Sequence, residues 1–153
     1  MKTANSYASL SKGHKDLDHL FDSHQRGLLA GDIKVSLAAL TKFRSDLERY
    51  IDFEERRLLP LYADQGTKTA GETLKILQAE HRKLRHDVAG LTQRTEQLFN
   101  SVDLPGSTLA LLSDEVEFKN LFDRHVDREQ RVLFPQLAER ATERDREARL
   151  AKG

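Results

Sequence analysis

"YIDFEERRLLP", Tyr50 to Pro60, returns seventy-five residues later as "HVDREQRVLFP", His125 to Pro135. Asp52 recurs as Asp127, Glu54 as Glu129, Arg56 as Arg131, Leu58 as Leu133 and Pro60 as Pro135. Glu54 follows Tyr50 by four positions and Glu129 follows His125 by four, an interval that puts both side chains on one face of a helix. Among the positions that differ, the first letter stands four before each glutamate, and it is tyrosine in one copy and histidine in the other.

The helical period of this repeat extends along the chain. Apolar residues recur three and four apart, and no alternating run of Val, Ile and Thr reads as a strand. Leu10, His14, Leu17, Phe21, His24 and Leu28 form one inward stripe. Leu40, Phe43, Leu47, Tyr50, Glu54, Leu58 and Leu61 form a second, and Leu74, Leu77, His81, Leu84, Val88 and Leu91 a third. Phe118, Phe122, His125, Glu129 and Val132 form the fourth. Gly31 marks a helix stop, Gly66 precedes a Thr69/Glu72 capping box, and Pro105–Gly106 leaves Ser107 as an N-cap. Four helices with short connections predict an all-α, up-down-up-down antiparallel four-helix bundle.

Pro60 and Pro135 fall near the ends of helices two and four and are expected to kink or weaken them. Arg56 and Arg131, four residues after Asp52 and Asp127, predict exposed ion pairs worth a few tenths of a kcal/mol.

At 153 residues the chain fits one domain over 1–153, with a charged C-terminal helix extension from about 139 to 153. Lys plus Arg equal Asp plus Glu at 25 each, so no electrostatic footprint for nucleic acid or an anionic membrane is present. The absence of cysteine excludes disulfides, thiolate metal sites and thiol redox chemistry. "MKTANSYASL" lacks an apolar leader core, and no segment is long and apolar enough to span a bilayer; the expected location is the cytoplasm.

The informative residues are the polar ones that interrupt the stripes: His14, His24, Tyr50, Glu54, His81, His125 and Glu129. An ionised carboxylate in a bundle core is costly unless paired or bound to a cation. Counting from the turns sets their heights. His14 lies 17 residues before Gly31 and Tyr50 lies 19 after it; Glu54 lies 12 before Gly66 and His81 lies 15 after it. His81 and His125 flank Leu104 by 23 and 21 residues. Mismatches of this size amount to roughly 3–5 Å at the helical rise. His14, Tyr50, Glu54, His81, His125 and Glu129 should therefore meet at one level, while His24 lies about 15 Å away along the axis.

Three histidines, two carboxylates and a phenol make a plausible ligand set for a metal. Imidazole suits iron, zinc, copper and nickel, and carboxylate favours harder ions, so iron comes first, with manganese or zinc behind. The competing reading is a metal-free His–Glu network, which needs a partner for every group. His24 is expected to be a hydrogen-bonded core residue, and His19, His86, Glu55 and Glu80 to be exposed.

The arrangement resembles the hemerythrin-like, or HHE cation-binding, family over nearly the whole chain. The resemblance rests on "GHKDLDHLF" with His14, "YIDFEERRLLP" with Glu54, "AEHRKL" with His81 and "HVDREQRVLFP" with His125 and Glu129. It implies a non-haem di-iron site with two irons per chain, oxo- or carboxylate-bridged. Glu54 and Glu129 would then be the bridging carboxylates and the histidines terminal ligands. Two departures bear on function. Arg85 stands where oxygen-carrying relatives have a further histidine in helix three, and Tyr50 stands where the second-helix histidine belongs. Both weigh against reversible oxygen carriage.

Tyr50 is expected to be an oxygen ligand favouring ferric iron, with an outer phenol or a purely packing role as alternatives. The expected function is reaction of the site with a small oxidant: peroxide, O2 or NO, in a setting of oxidative stress. The alternatives are non-catalytic O2, NO or iron sensing, binding or storage, and a metal-free interaction bundle. Catalytic residues beyond the ligands, the substrate, the redox partner and the oligomeric state are not legible.

Overall fold

The computed structural model describes residues 2–152, with side chains from Tyr7 onward. The chain runs through α1 (Lys2–Leu29), α2 (Ile33–Phe53), a π-turn (Glu54–Leu58), α3 (Leu59–Ala63), α4 (Lys68–Gln97), a 3-10 turn (Leu98–Asn100), α5 (Leu104–Arg128), a second π-turn (Glu129–Leu133) and α6 (Phe134–Ala151). The π-turns join α2 to α3 and α5 to α6, so four rods result, and they pack as the expected four-helix bundle. No helix is long and apolar enough to cross a membrane among the described residues.

Gly31 and Gly66 end the first two rods with φ of 71° and 65°, where a Cβ would be strained. Two expected caps are corrected. Thr67, not Thr69, caps α4 by accepting from the Ala70 amide at 3.0 Å, and Asp103, not Ser107, caps α5 by accepting from Gly106 at 3.1 Å. In both cases the cap lies further upstream, by two residues in α4 and four in α5, so each helix starts earlier than apolar spacing marks.

The prolines do not break their rods. In an α-helix the Pro60 ring would collide with the Arg56 carbonyl, and Pro135 with that of Arg131. One residue earlier in each copy the backbone widens: Leu59 N–H reaches back five residues to Glu54 O, and Phe134 N–H to Glu129 O. The widened turn relieves the crowding and keeps the rod continuous. It also adds one residue, which rotates the following face by about 100°. Leu61, expected inward, is therefore 42% exposed, while Leu59 and Tyr62 are buried. In the second copy Leu133, Phe134 and Leu137 fill the core and Val132 is half-buried. The expected surface pairs form as read, Asp52–Arg56 at 2.9 Å and Asp127–Arg131 at 2.7 Å.

Two apolar clusters result. One holds Leu17, Phe21, Leu40, Phe43, Leu84, Phe118 and Phe122; the other holds Leu10, Leu58, Leu59, Tyr62, Leu77, Leu133 and Phe134. Between them lies a polar layer, and Tyr50 packs against both clusters at its rim.

His24 is a core residue, as expected, and its partner is one that periodicity does not mark. Its Nε2 lies 2.6 Å from Glu115 Oε2, Ser36 Oγ lies 2.8 Å from its Nδ1, and Gln25 donates to Glu115 at 3.2 Å. His24, Ser36 and Glu115 are fully buried, so this closed network ties α1, α2 and α5 together. Glu115→Gln is expected to lower stability by about 1.5–3 kcal/mol, the worth of a hydrogen bond to a charged group. Urea unfolding checks the loss, and metal content, unchanged, checks that the network is separate from the polar layer.

Candidate metal centre

His14 comes from α1, Glu54 opens the first π-turn, His81 comes from α4, His125 from α5, and Glu129 opens the second π-turn. None of the five is more than 5% exposed. His81 Nε2 lies 2.9 Å from Glu54 Oε2, His125 Nε2 lies 2.5 Å from Glu129 Oε1, and His14 Nε2 lies 3.1 Å from Glu129 Oε2. Longer approaches close the ring: His14 to Glu54 at 4.0 Å, His81 to Glu129 at 3.9 Å and His125 to Glu54 at 3.7 Å. Ligand atoms of Glu54, His81, His125 and Glu129 all lie within 4.8 Å of one another. Five of the six residues expected at one level thus meet there, and the sixth, Tyr50, lies beside them with its ring against His14.

Whether these residues fit a cation can be judged from Glu129. Both of its oxygens are buried without an aligned hydrogen bond, although two histidine nitrogens stand close to them. Nitrogens and oxygens that crowd together without pointing at one another are aimed at a shared point, as ligands are. The donor set, nitrogen and oxygen without sulfur, suits iron and zinc and accommodates manganese. A metal-free network, which would need every group paired, is the poorer description.

The protonation states follow from the same crowding. Burial, and next the Glu129 charge, push the Glu54 carboxyl up. Burial would raise Glu129 too, but the charge on His125 holds it well below the usual carboxylate range. Burial alone would depress both imidazoles, yet the carboxylates override it. Glu129 and Glu54 raise His81 to about 9, and Glu129 chiefly raises His125 well above its ordinary value.

In the metal-free protein, protons thus occupy nitrogens that a metal needs. Binding is expected to release about two protons per chain near neutral pH and to tighten as pH rises. An indicator dye in weak buffer measures the release. The stability of the metal-free chain moves the other way. The His81 contribution is complete below its unfolded value near 6.5 and is lost as pH rises through about 9.

Tyr50 stands beside this cluster. Its ring is tilted against that of His14 with centroids 5.8 Å apart, and the ring and hydroxyl lie where a Cβ on Gly13 would be. Gly13, a residue usually costly within a helix, therefore makes room for Tyr50. Burial, with Asp16 and Asp46, pushes the phenol up. Tyr50 also lines a surface pocket of about 190 Å³ with Leu10, Arg49 and Phe53.

Two glutamates expected at the surface prove to be half-buried and engaged. His81 Nδ1 donates to Glu55 at 3.0 Å, and His125 Nδ1 donates to Glu80 at 3.2 Å. Arg128 backs Glu80 at 3.2 Å, and Arg85 lies 3.6 Å from Glu55 while gripping Glu48 at 2.9 Å. Burial would raise Glu80, but His125 and Arg128 lower it below the usual range. The sequence does carry a signal for both residues. Each adjoins a ligand, and a residue next to an inward one lies about 100° around the helix, at the edge facing the neighbouring rod. His19 and His86 are exposed, as expected.

A family model described as "Hemerythrin HHE cation binding domain" matches residues 5–137 of the chain. No curated protein and no solved structure matches significantly.

Proposed function

Because the chain belongs to the hemerythrin HHE cation-binding family, we propose that it holds two irons in the buried layer and reacts there with a small oxidant. The observation that carries this reading is the convergence of His14, Glu54, His81, His125 and Glu129, from four rods, on one layer in which neither Glu129 oxygen has an aligned hydrogen bond. Glu54 and Glu129 each offer two oxygens and would bridge; the three histidines would hold the ions from the outside. Bound iron supplies a Lewis-acidic, one-electron centre for peroxide, O2 or NO. The chain's part is to fix the ligands, exclude bulk water with the two apolar clusters, and admit a small molecule past Tyr50.

Tyr50 is the sixth member of this set, as an oxygen ligand. With ferric protein, Tyr50→Phe is then expected to remove a phenolate absorption band and lower retained iron. Unchanged colour and metal content would reduce Tyr50 to a packing residue.

Adding excess hydrogen peroxide to the iron-loaded protein tests the function. Sustained oxygen evolution, lost in Glu129→Ala, supports oxidoreductase action, whereas no turnover overturns it. A second reading, reversible binding of O2 or NO or iron storage without turnover, draws on the burial of the five histidine and glutamate ligands between apolar layers, which neutral gases cross more easily than polar species. A reversible colour change without consumption favours that reading.

A further inference from the structure

The five ligands are not held alike. His81 and His125 have both ring nitrogens engaged: Nε2 faces the carboxylate pair, and Nδ1 donates to Glu55 or Glu80. A carboxylate only accepts, so each of these rings holds a proton on Nδ1, and Nε2 is the nitrogen left to face a metal once its own proton is displaced. The two rings also brace each other edge to face, with centroids 4.7 Å apart. The arginines behind the glutamates complete two matched chains, Arg85–Glu55–His81 and Arg128–Glu80–His125.

His14 faces the same carboxylates through Nε2 but lacks a partner on the other nitrogen. Its Nδ1 is buried without a hydrogen-bond partner, and its ring lies between Phe134 at 6.2 Å and Tyr50 at 5.8 Å. The sequence shows why. The glutamates that serve the other rings are chain neighbours of Glu54 and His81, whereas the residues flanking Glu129 are Arg128 and Gln130. Arg128 is turned to Glu80, and Gln130 is exposed. Among the described residues no side chain supplies an acceptor to His14 Nδ1, so the ring is oriented only by its packing and by Glu129 at Nε2.

We propose that the centre loads in order: the position served by His81 and His125 takes and keeps the first ion, while the position at His14 binds more weakly and exchanges its ion. This rests on the two-ion reading given above. Losing an orienting partner of this kind typically lowers metal affinity about 10–100-fold, which sets the expected gap between the two steps. Glu55 and Glu80 are positioning residues for the tight position, and the exchangeable position is the one that His14, next to the half-buried Tyr50, would hold.

Anaerobic titration of the metal-free protein with cobalt(II), followed by its visible bands and by equilibrium dialysis, tests the order. Two steps separated by about tenfold or more are expected. His14→Ala should remove the second step and leave the first. Glu55→Gln and Glu80→Gln, which keep side-chain shape and are checked for helical content by circular dichroism, should weaken the first step and shift its spectrum. Glu80→Asp should restore part of what Glu80→Gln removes. Two ions entering in a single step, or His14→Ala weakening the first step as much as the second, would overturn the ordered loading while leaving a two-ion centre standing. Saturation at one cobalt per chain, or no uptake, would overturn the two-ion reading and the order with it.

Discussion

Glu129→Ala is expected to leave a chain that retains no metal through desalting and whose metal-free form is less stable by about 3–5 kcal/mol, the usual loss when one partner of a buried ion pair is removed. Glu129 is fully buried, with His125 at 2.5 Å and His14 at 3.1 Å. Its removal takes from His125 the carboxylate that chiefly raises its proton affinity, and leaves the imidazole without that partner in a layer that bulk water does not reach. The same change deletes two of the oxygens on which a cation depends. Metal analysis reads the first effect and urea unfolding in chelator reads the second. If both stayed at wild-type values, Glu129 would be an incidental core acid. Asp127→Ala is the contrasting change, because its ion pair with Arg131 is exposed and exposed pairs are worth little.

Stripping metal from the wild-type protein is expected to lower its melting temperature by roughly 10 °C. A ligand present at a thousand times its dissociation constant stabilises the native state by about 4 kcal/mol. For a chain of this size each kcal/mol moves the midpoint by roughly 2–4 °C. The helices should persist after stripping, because the two apolar clusters lie on either side of the layer and do not depend on it. The gap between loaded and stripped protein should widen as pH rises. The stripped form loses the His81 contribution on passing through about 9, while metal faces less competition from protons. Differential scanning calorimetry with and without chelator, at two pH values, measures both. Coincident midpoints would mean that the layer is held by its own contacts.

The sequence was most legible where one rule governs. Three-and-four spacing identified Leu17, Phe21, Phe43, Leu84, Phe118 and Phe122 as core, and all are buried. Counting residues from Gly31, Gly66 and Leu104, with Glu129 four after His125, was enough to bring His14, Glu54, His81, His125 and Glu129 to one level, because rods of constant rise keep their register. Leu61 was misplaced since a π-turn adds a residue without any change in apolar spacing; its trace is the proline that recurs six residues after each glutamate. Glu55 and Glu80 were read as surface because they sit beside the stripe, and only the packing angle of the neighbouring rod decides whether an edge residue meets solvent or a histidine. Glu115 was hidden for a related reason. Its stripe position is apparent only once His24 is known to need an acceptor across the bundle. The opening mismatch has a local physical answer: Tyr50 fits because Gly13 leaves room for a phenol beside His14.

If this buried layer is a two-iron centre, the metal content of protein produced in iron-replete medium and freed of loosely bound ions will show it. About two irons per chain are expected, as in other bundles with paired carboxylates and histidines from facing helices. A chain that carries no metal, or only zinc whose removal leaves the melting temperature unchanged, would contradict the claim.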